Sequence, residues 1–321
     1  MRRVTGRAPR CAVSSQTLPD SLTHCASTAD SPPQVAPSHE LLSRLQAVEA
    51  QLDELRELLA RAYEETPRRA AELMRARRHA DYAEAYAERP LVSVRIGVYR
   101  PGPLLFERAL PSVLAQTYGD WELILVSDGR DEETMLRVAE LGDERVRFVQ
   151  RPRNGPYPDE PAKRWRVAGV HPFNQGVAEA RGAWIAPLDQ DDEWLPEHLE
   201  VLLRAARRTG AEVVYGAARV MLEDGAETWF GSWPPALGEF GFQAAIYHAH
   251  LAEFCYDVNA HLLDEPADWN LARRMLEAGV NFEFVEQIVS SYWPTPGQEP
   301  EWGYWQERHR RAGSFGDEGG S

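Results

Sequence analysis

Leu91-Val92-Ser93-Val94-Arg95-Ile96-Gly97-Val98-Tyr99 follows Pro90 and marks a change in the pattern of the chain. Upstream, apolar residues recur at steps of three and four. Here they alternate and are rich in Val and Ile, which is the period of a strand. Trp121 to Val126, Val146 to Val149 and Ala183 to Pro187 read the same way. Leu104 to Leu114, Glu132 to Leu141, Phe173 to Ala180 and Pro196 to Arg208 read as helices. Strands alternating with helices at this spacing predict βαβ units, hence an α/β fold with a mostly parallel sheet flanked by helices. Farther along, Glu212 to Tyr215 and Ala218 to Leu222 read as a strand pair turning at Gly216, and Trp269 to Ala278 as a late helix.

Working back toward the N-terminus, Leu41, Leu45, Val48, Leu52, Leu55 and Leu59 recur at alternating steps of four and three, a heptad seam. Such a seam either pairs two chains or folds back on its own domain, and about three heptads do not decide between them. Residues 38–89 are thus expected to be helical, a long N-terminal helix or short coiled coil with a possible homodimer through 41–59, ended by Pro90. Residues 1–37 are rich in Ser, Thr, Pro and Ala and are expected to form a disordered leader. The domain proper spans 90–295. The tail 296–321 carries Trp302, Trp305 and His309 as a possible lid and ends in Gly-rich sequence.

The chain has 321 residues, 43% of them hydrophobic, with ten Trp, enough for a sizeable core. A formal charge of −15 disfavours a polyanionic partner such as nucleic acid. Nothing approaches the roughly 18 uninterrupted apolar residues of a spanning helix. The start of the chain lacks the apolar core of a secretory signal, so the default expectation is cytoplasmic. The cysteines Cys11, Cys25 and Cys255 have no metal-ligand spacing.

In open α/β sheets, ligands bind beyond the carboxyl ends of the strands, so the residues just after each strand carry the chemistry. The first strand delivers Tyr99 and Arg100, the second Asp128 and Gly129, and the fourth Asp189-Gln190-Asp191-Asp192. Four carboxylates within Asp189 to Glu193 repel one another unless a cation or a solvated helix start compensates. A helix opening after Pro196 accounts for Asp192 and Glu193. It does not account for Asp189, which directly follows an apolar run. Mg²⁺ and Mn²⁺ favour oxygen ligands, often one or two carboxylates completed by substrate phosphates. An Asp-x-Asp turn offers that set.

Five motifs stand in order: Val92-Ser93-Val94 through Tyr99; Ser112 to Tyr118 with Trp121-Glu122-Leu123-Ile124; Val126-Ser127-Asp128-Gly129; Asn174 to Gly182; and Leu188 to Asp192. On these the run from Leu91 to about Tyr292 resembles the catalytic domain of glycosyltransferase family 2, which has the GT-A fold. The resemblance implies that Tyr99 and Asp128 contact the base and ribose of a nucleotide-sugar donor. It implies that Asp189 lies near ribose and diphosphate, that Asp191 ligates Mn²⁺ or Mg²⁺, and that Asn174 sits over the donor pocket. Where the family commonly has Asn after the Tyr, this chain has Arg100. In the family a catalytic carboxylate precedes a downstream helix. Asp268 matches best as a general base for an acceptor hydroxyl, with Glu265 the second candidate and a helix N-cap the plainer role for Asp268. The implied reaction is an inverting, metal-assisted transfer of a sugar to a hydroxyl of unknown identity.

Two further regions are informative. Arg151, Arg153, Lys163, Arg164 and Arg166 form a basic, Pro-rich stretch that reads mostly as a solvated loop, with one or two side chains able to reach phosphate. His248 and His250 read as core or acceptor contacts ahead of a metal pair. Competing functions are nucleotidyl transfer on a similar fold, for which Arg100-Pro101-Gly102 is a meagre phosphate loop, and a degenerate domain serving as a coiled-coil scaffold.

Overall fold

The computed structural model describes residues 39–99, 103–153, 157–221 and 227–294. The leader, Arg100 and the tail from 295 lie outside these residues. The chain divides into two compact units, up to Leu52 and from Asp53 onward. Helix α1 runs His39–Ala76. Along it the heptad positions Leu45, Val48, Leu52, Leu55 and Leu59 are all exposed, as is Leu41. The expectation of helix to Glu88 needs one correction, since α1 ends at Ala76 and a 3₁₀ segment, Ala80–Tyr86, follows.

In the second unit the end of α1 is tied to the sheet by one buried acid. Glu212 accepts from Arg77 Nε at 2.7 Å and Nη2 at 2.5 Å, from Asn281 N at 2.9 Å, and from the Tyr82 hydroxyl. Burial alone would raise this carboxyl, but these donors and the charge of Arg77 outweigh it and hold it below its ordinary value. Breaking such a pair from one side leaves a buried charge uncompensated.

The strands are β1 (Val92–Val98), β2 (Trp121–Asp128), β3 (Val146–Arg151), β4 (Trp184–Asp189), β5 (Glu193–Trp194), β6 (Val213–Met221), β7 (Glu227–Phe230), β8 (Ala245–His248) and β9 (Phe282–Tyr292). The remaining helices are α2 (Leu110–Leu114, entered through a π turn at Leu105–Ala109), α3 (Glu132–Glu140), α4 (Pro161–Arg166), α5 (Val170–Ala178), α6 (His198–Thr209) and α7 (Ala267–Glu277). They build a mixed sheet in the order β3-β2-β1-β4-β8-β6-β9-β5, with β7 on β6. β3, β2, β1 and β4 are mutually parallel, and β8 enters antiparallel to β4. The α/β class and the parallel core agree with the sequence reading.

Alternation sorts the side chains onto two faces. Val92, Val94, Ile96 and Val98 of β1 pack with Leu123 and Leu125 of β2 and with Leu199 and Leu202 of α6. The other face gathers Ile185, Tyr215 and Tyr247 with Leu271 and Met275 of α7. Ser93, on that second face, donates to Glu122, whose carboxylate also accepts from Arg181 Nε at 2.9 Å and Nη2 at 2.7 Å. A Cβ on neighbouring Gly182 would lie 2.6 Å from Ser93 N and 2.7 Å from Leu91 O. The Arg181-Gly182 pair thus serves close packing of chain on chain.

The strand pair turning at Gly216 is corrected. β6 passes straight through Gly216, and the register against β9 slips there instead. A side chain at Gly216 would sit 2.8 Å from Gln287 O, so this glycine marks close approach of β9 and not a turn. No helix among the described residues is long and apolar enough to cross a membrane.

Candidate active site

A cavity of about 540 Å³ opens beyond the carboxyl ends of β1, β2 and β4. Tyr99, Asp128, Asp189, Asp191 and Asp268 all line it, from four separate stretches of sequence. β1 and β4 are in register with Gly97 opposite Asp189, so Tyr99 emerges beside the acidic turn. Gln190 fastens the two, its Oε1 accepting from Tyr99 N at 3.0 Å and its Nε2 donating to Tyr99 O at 3.3 Å.

Asp128 ends β2. One of its oxygens, Oδ2, accepts from the Tyr157 hydroxyl at 3.1 Å. The other, Oδ1, is buried with no hydrogen-bond partner among the described residues. Leaving a buried carboxylate oxygen without a donor is costly. Arg153 also lines the cavity, donating to the Tyr99 hydroxyl at 3.2 Å with its guanidinium 5.0 Å from that ring. Tyr157, Arg153 and Arg166 belong to the basic stretch read mainly as a solvated loop, of which Pro161–Arg166 is instead the helix α4. Arg166 is anchored to Asp264 at 2.5 Å.

The acidic turn departs from expectation in one respect. Asp192 and Glu193 do not open a helix, because α6 begins only at His198 and Glu193–Trp194 is a short strand on β9. Asp192 is 1% exposed and accepts from Trp293 N at 3.3 Å. Burial, and then the charges of Asp191 and Asp189, push its carboxyl well above the ordinary range. Arg108 caps the turn by donating to Asp191 O at 3.2 Å. Crowded hard oxygen donors of this kind suit a Mg²⁺ or Mn²⁺ ion that takes one or two protein carboxylates and completes its shell with phosphate oxygens. Among the described residues no three His, Cys, Asp or Glu side chains are grouped to hold a metal by themselves.

Asp268 lies in the first turn of α7, whose N-cap is Pro266, so it is not the cap. Burial raises its carboxyl, against the Trp269 N–H at 2.7 Å and the charge of Arg95. Glu265 is turned elsewhere: Arg273 donates to it at 2.8 and 2.9 Å and Asn270 at 2.8 Å. Of the two candidate bases, only Asp268 lines the cavity.

Asn174 requires a correction. It does not line the cavity; its amide is paired with the backbone of Tyr256, at 2.9 and 2.8 Å. It shapes the pocket through Tyr256. His248 and His250 also stand elsewhere, His248 stacked on Tyr82 at 4.0 Å and His250 beside the same ring. Both pack against Tyr82, in line with the core reading. Arg95, missed in the sequence, is buried at the cavity floor under Phe173 and Tyr256. A charge on the inward face of a buried parallel strand was the available signal.

A sequence profile of glycosyl transferase family 2 matches residues 93–158 and 166–263, just over half of the chain. The chain belongs to glycosyl transferase family 2. This family 2 chain is 32% identical over 108 residues to the UDP-Glc:alpha-D-GlcNAc-diphosphoundecaprenol beta-1,3-glucosyltransferase WfgD of Escherichia coli, covering 34% of this chain and 38% of that one. It is 34% identical over 119 residues to the succinoglycan biosynthesis protein ExoO of Rhizobium meliloti, covering 37% and 30%. The chain spans well under half the length of these curated relatives. Its fold is shared with the mannosyltransferase PcManGT of Pyrobaculum calidifontis, solved with GDP-Man and Mn2+, at a TM-score of 0.50 and 15% identity, covering 79% of this chain and 71% of that one.

Proposed function

We propose that this family 2 chain transfers a sugar from a nucleoside-diphosphate donor to an acceptor hydroxyl, with inversion at the anomeric carbon. The observation that supports this most directly is the convergence of Asp128, Asp189, Asp191 and Asp268 on one cavity, with Asp128 Oδ1 buried and lacking a partner. Asp128 and Tyr99 hold the base and ribose, the former through that unmet oxygen. Asp189 faces the ribose and diphosphate. Asp191 is the ligand for Mn²⁺ or Mg²⁺, which when bound supplies charge neutralisation for the departing diphosphate. Asp268 takes the proton from the acceptor hydroxyl as that oxygen attacks, and burial raises its affinity for a proton above that of an ordinary carboxylate. Phe240, Phe242, Trp269 and Tyr292 add aromatic surface to the cavity lining.

The exposed heptad face of α1 is assigned to a second copy of the chain. With Leu45, Leu52 and Leu59 at a and Leu41, Val48 and Leu55 at d, Arg44 falls at g and Glu49 at e, a pair that attracts between parallel helices.

The donor reading is tested by thermal shift with UDP, GDP and their sugars in the presence of Mn²⁺. A ligand that binds only the folded state raises the melting temperature. Stabilisation that depends on Mn²⁺ and disappears in Asp191→Ala is expected; a wild type stabilised by none of these nucleotides would overturn the reading.

A further inference from the structure

Strand β7 and the turn after it present two indoles to solvent from a segment that is firmly held. Trp229 is 62% exposed and Trp233 59%. β7 pairs antiparallel with β6, Ala218 opposite Phe230 and Arg219 opposite Trp229. Just beyond it Gly231 N donates to Glu239 Oε2 at 3.0 Å, and the Tyr215 hydroxyl donates to Ser232 O. Gly231 has a φ of 132°, and a Cβ there would lie 2.8 Å from Ala217 Cα, so glycine lets the chain lie this close on β6. Trp229 lines the cavity and Trp233 does not. An indole held in place with its apolar surface in water is preorganised for a ligand that covers it.

The sheet order sets Trp229 on the side away from the nucleotide. Asp128 and Tyr99 leave β2 and β1, and the acidic turn leaves β4. Next comes β8 and then β6, which is parallel to β4 because both are antiparallel to β8. β9 occupies one side of β6 from Val213 to Val220, so β7 stands on the other, the β4 side, where β8 has ended. Along the carboxyl ends the cavity thus meets Asp128, Tyr99, the Asp189–Asp191 turn and then Trp229. In an inverting displacement the acceptor oxygen bonds to the anomeric carbon from the face opposite the breaking bond to diphosphate. The electron pair of that bond leaves with the nucleoside diphosphate, and the acceptor's proton passes to Asp268. With the nucleotide at β2 and β1 and the diphosphate at β4, the acceptor enters from the β7 side.

We propose that Trp229 is a specificity residue for the acceptor, and that the acceptor is a saccharide whose pyranose ring stacks on this indole, an inference that rests on the nucleotide-sugar reading above. Between residues 228 and 243 and at 266–269 and 292, the large apolar side chains that line the cavity are aromatic, with Leu237 the one aliphatic among the described residues. A flexible prenyl or acyl chain gains nothing special from flat rings. The C–H face of a pyranose is itself flat and matches them, and Thr228 and Glu239 line the same side for its hydroxyls.

The test is the rate of nucleoside diphosphate release by the full chain in Mn²⁺, with the nucleotide sugar that stabilises the fold as donor. The acceptor probes are the methyl pyranosides of glucose, galactose, mannose and N-acetylglucosamine, farnesol, and a serine-bearing peptide. At least one glycoside should raise release above the rate of donor hydrolysis, and neither farnesol nor the peptide should. Trp229→Ala should raise the KM for that glycoside about tenfold or more, with the donor KM within about twofold and little change in kcat. Trp229→Tyr, which keeps a flat ring, should recover most of the loss. Trp233→Ala removes a similarly exposed indole from outside the cavity and should leave the glycoside KM unchanged. A wild type that binds its donor and transfers to no glycoside overturns the proposal and needs no variant to be folded. A glycoside KM that Trp229→Ala does not move, or that Trp233→Ala moves as much, or a donor KM that rises equally, also overturns it. If no nucleotide sugar binds at all, the donor reading itself fails and takes this inference with it.

Discussion

The side-chain amide of Asn174 closes on both polar groups of Tyr256's backbone, donating from Nδ2 to the carbonyl at 2.9 Å and accepting at Oδ1 from the N–H at 2.8 Å. Tyr256 in turn carries the hydroxyl that receives Arg95 and packs 5.4 Å from Phe173. One asparagine on α5 therefore fixes the cavity floor at one remove. Asn174→Ala leaves both backbone groups without their partner, and a loss of about 1–3 kcal/mol of stability follows. The urea midpoint reads this. A variant as stable as the wild type with activity abolished would instead put Asn174 in direct contact with substrate.

Asp268 and Glu265 are separated by what surrounds them. Asp268→Asn keeps the shape of the cavity and removes the proton acceptor, so kcat should drop by roughly 10²–10⁴ with little change in donor affinity. Glu265→Ala removes the acceptor shared by Arg273 and Asn270, although Arg273 keeps Glu277 and Asn270 keeps Arg274, and is expected to lower stability by about 1–3 kcal/mol while keeping most of kcat. The reverse pattern in steady-state kinetics and thermal melts would exchange the two assignments.

The parallel half of the sheet was legible because β1, β2 and β4 are rich in apolar residues and β2 and β4 end in acids, and strand ends are where such sheets bind ligands. β9 was not. Its pattern is broken by Glu283, Glu286 and Gln287, and its middle is exposed, so no apolar period marks it. Gly216 misled for a related reason, since a glycine needed for the approach of β9 reads like one needed for a turn. That Asp128, Asp189 and Asp191 gather beyond the sheet was legible from the strand ends that deliver them, whereas Asp268, in the first turn of α7, was reached only through the family resemblance. Arg95 and Tyr157 were not, because burial of Arg95 and the reach of Tyr157 to Asp128 depend on which faces and loops meet in space.

The heptad seam makes a prediction separate from the chemistry. Leu45→Asp with Leu52→Asp places charges at two a positions of the paired helices, which a coiled coil of this length does not tolerate. Sedimentation of the full chain should show a dimer for the wild type and a monomer for the double variant, with Mn²⁺-dependent nucleotide binding retained in both. A wild type that sediments as a monomer at tens of micromolar would assign the seam to some other packing.

His198 gives the fold a pH dependence whose sign is fixed by its surroundings. The ring is fully buried, stacked on Trp194 at 4.1 Å, with Nδ1 3.1 Å from Val289 O. A carbonyl only accepts, so Nδ1 bears the hydrogen and Nε2, which has no partner among the described residues, is the site that would take up a proton. Burial holds the ring's pKa down to about 3, opposed only by that carbonyl. The unfolded chain binds the proton near pH 6.5 and the folded chain does not, so stability is fully present above about pH 6.5 and is lost as pH falls toward about 3. Between pH 7 and pH 5 this single group should remove about 2 kcal/mol. Denaturant unfolding of the wild type and of His198→Phe across that interval isolates it: the variant, whatever its baseline, should lose about 2 kcal/mol less than the wild type. Parallel stability curves for the two proteins would mean that the ring is protonated in the folded state as readily as in the unfolded one.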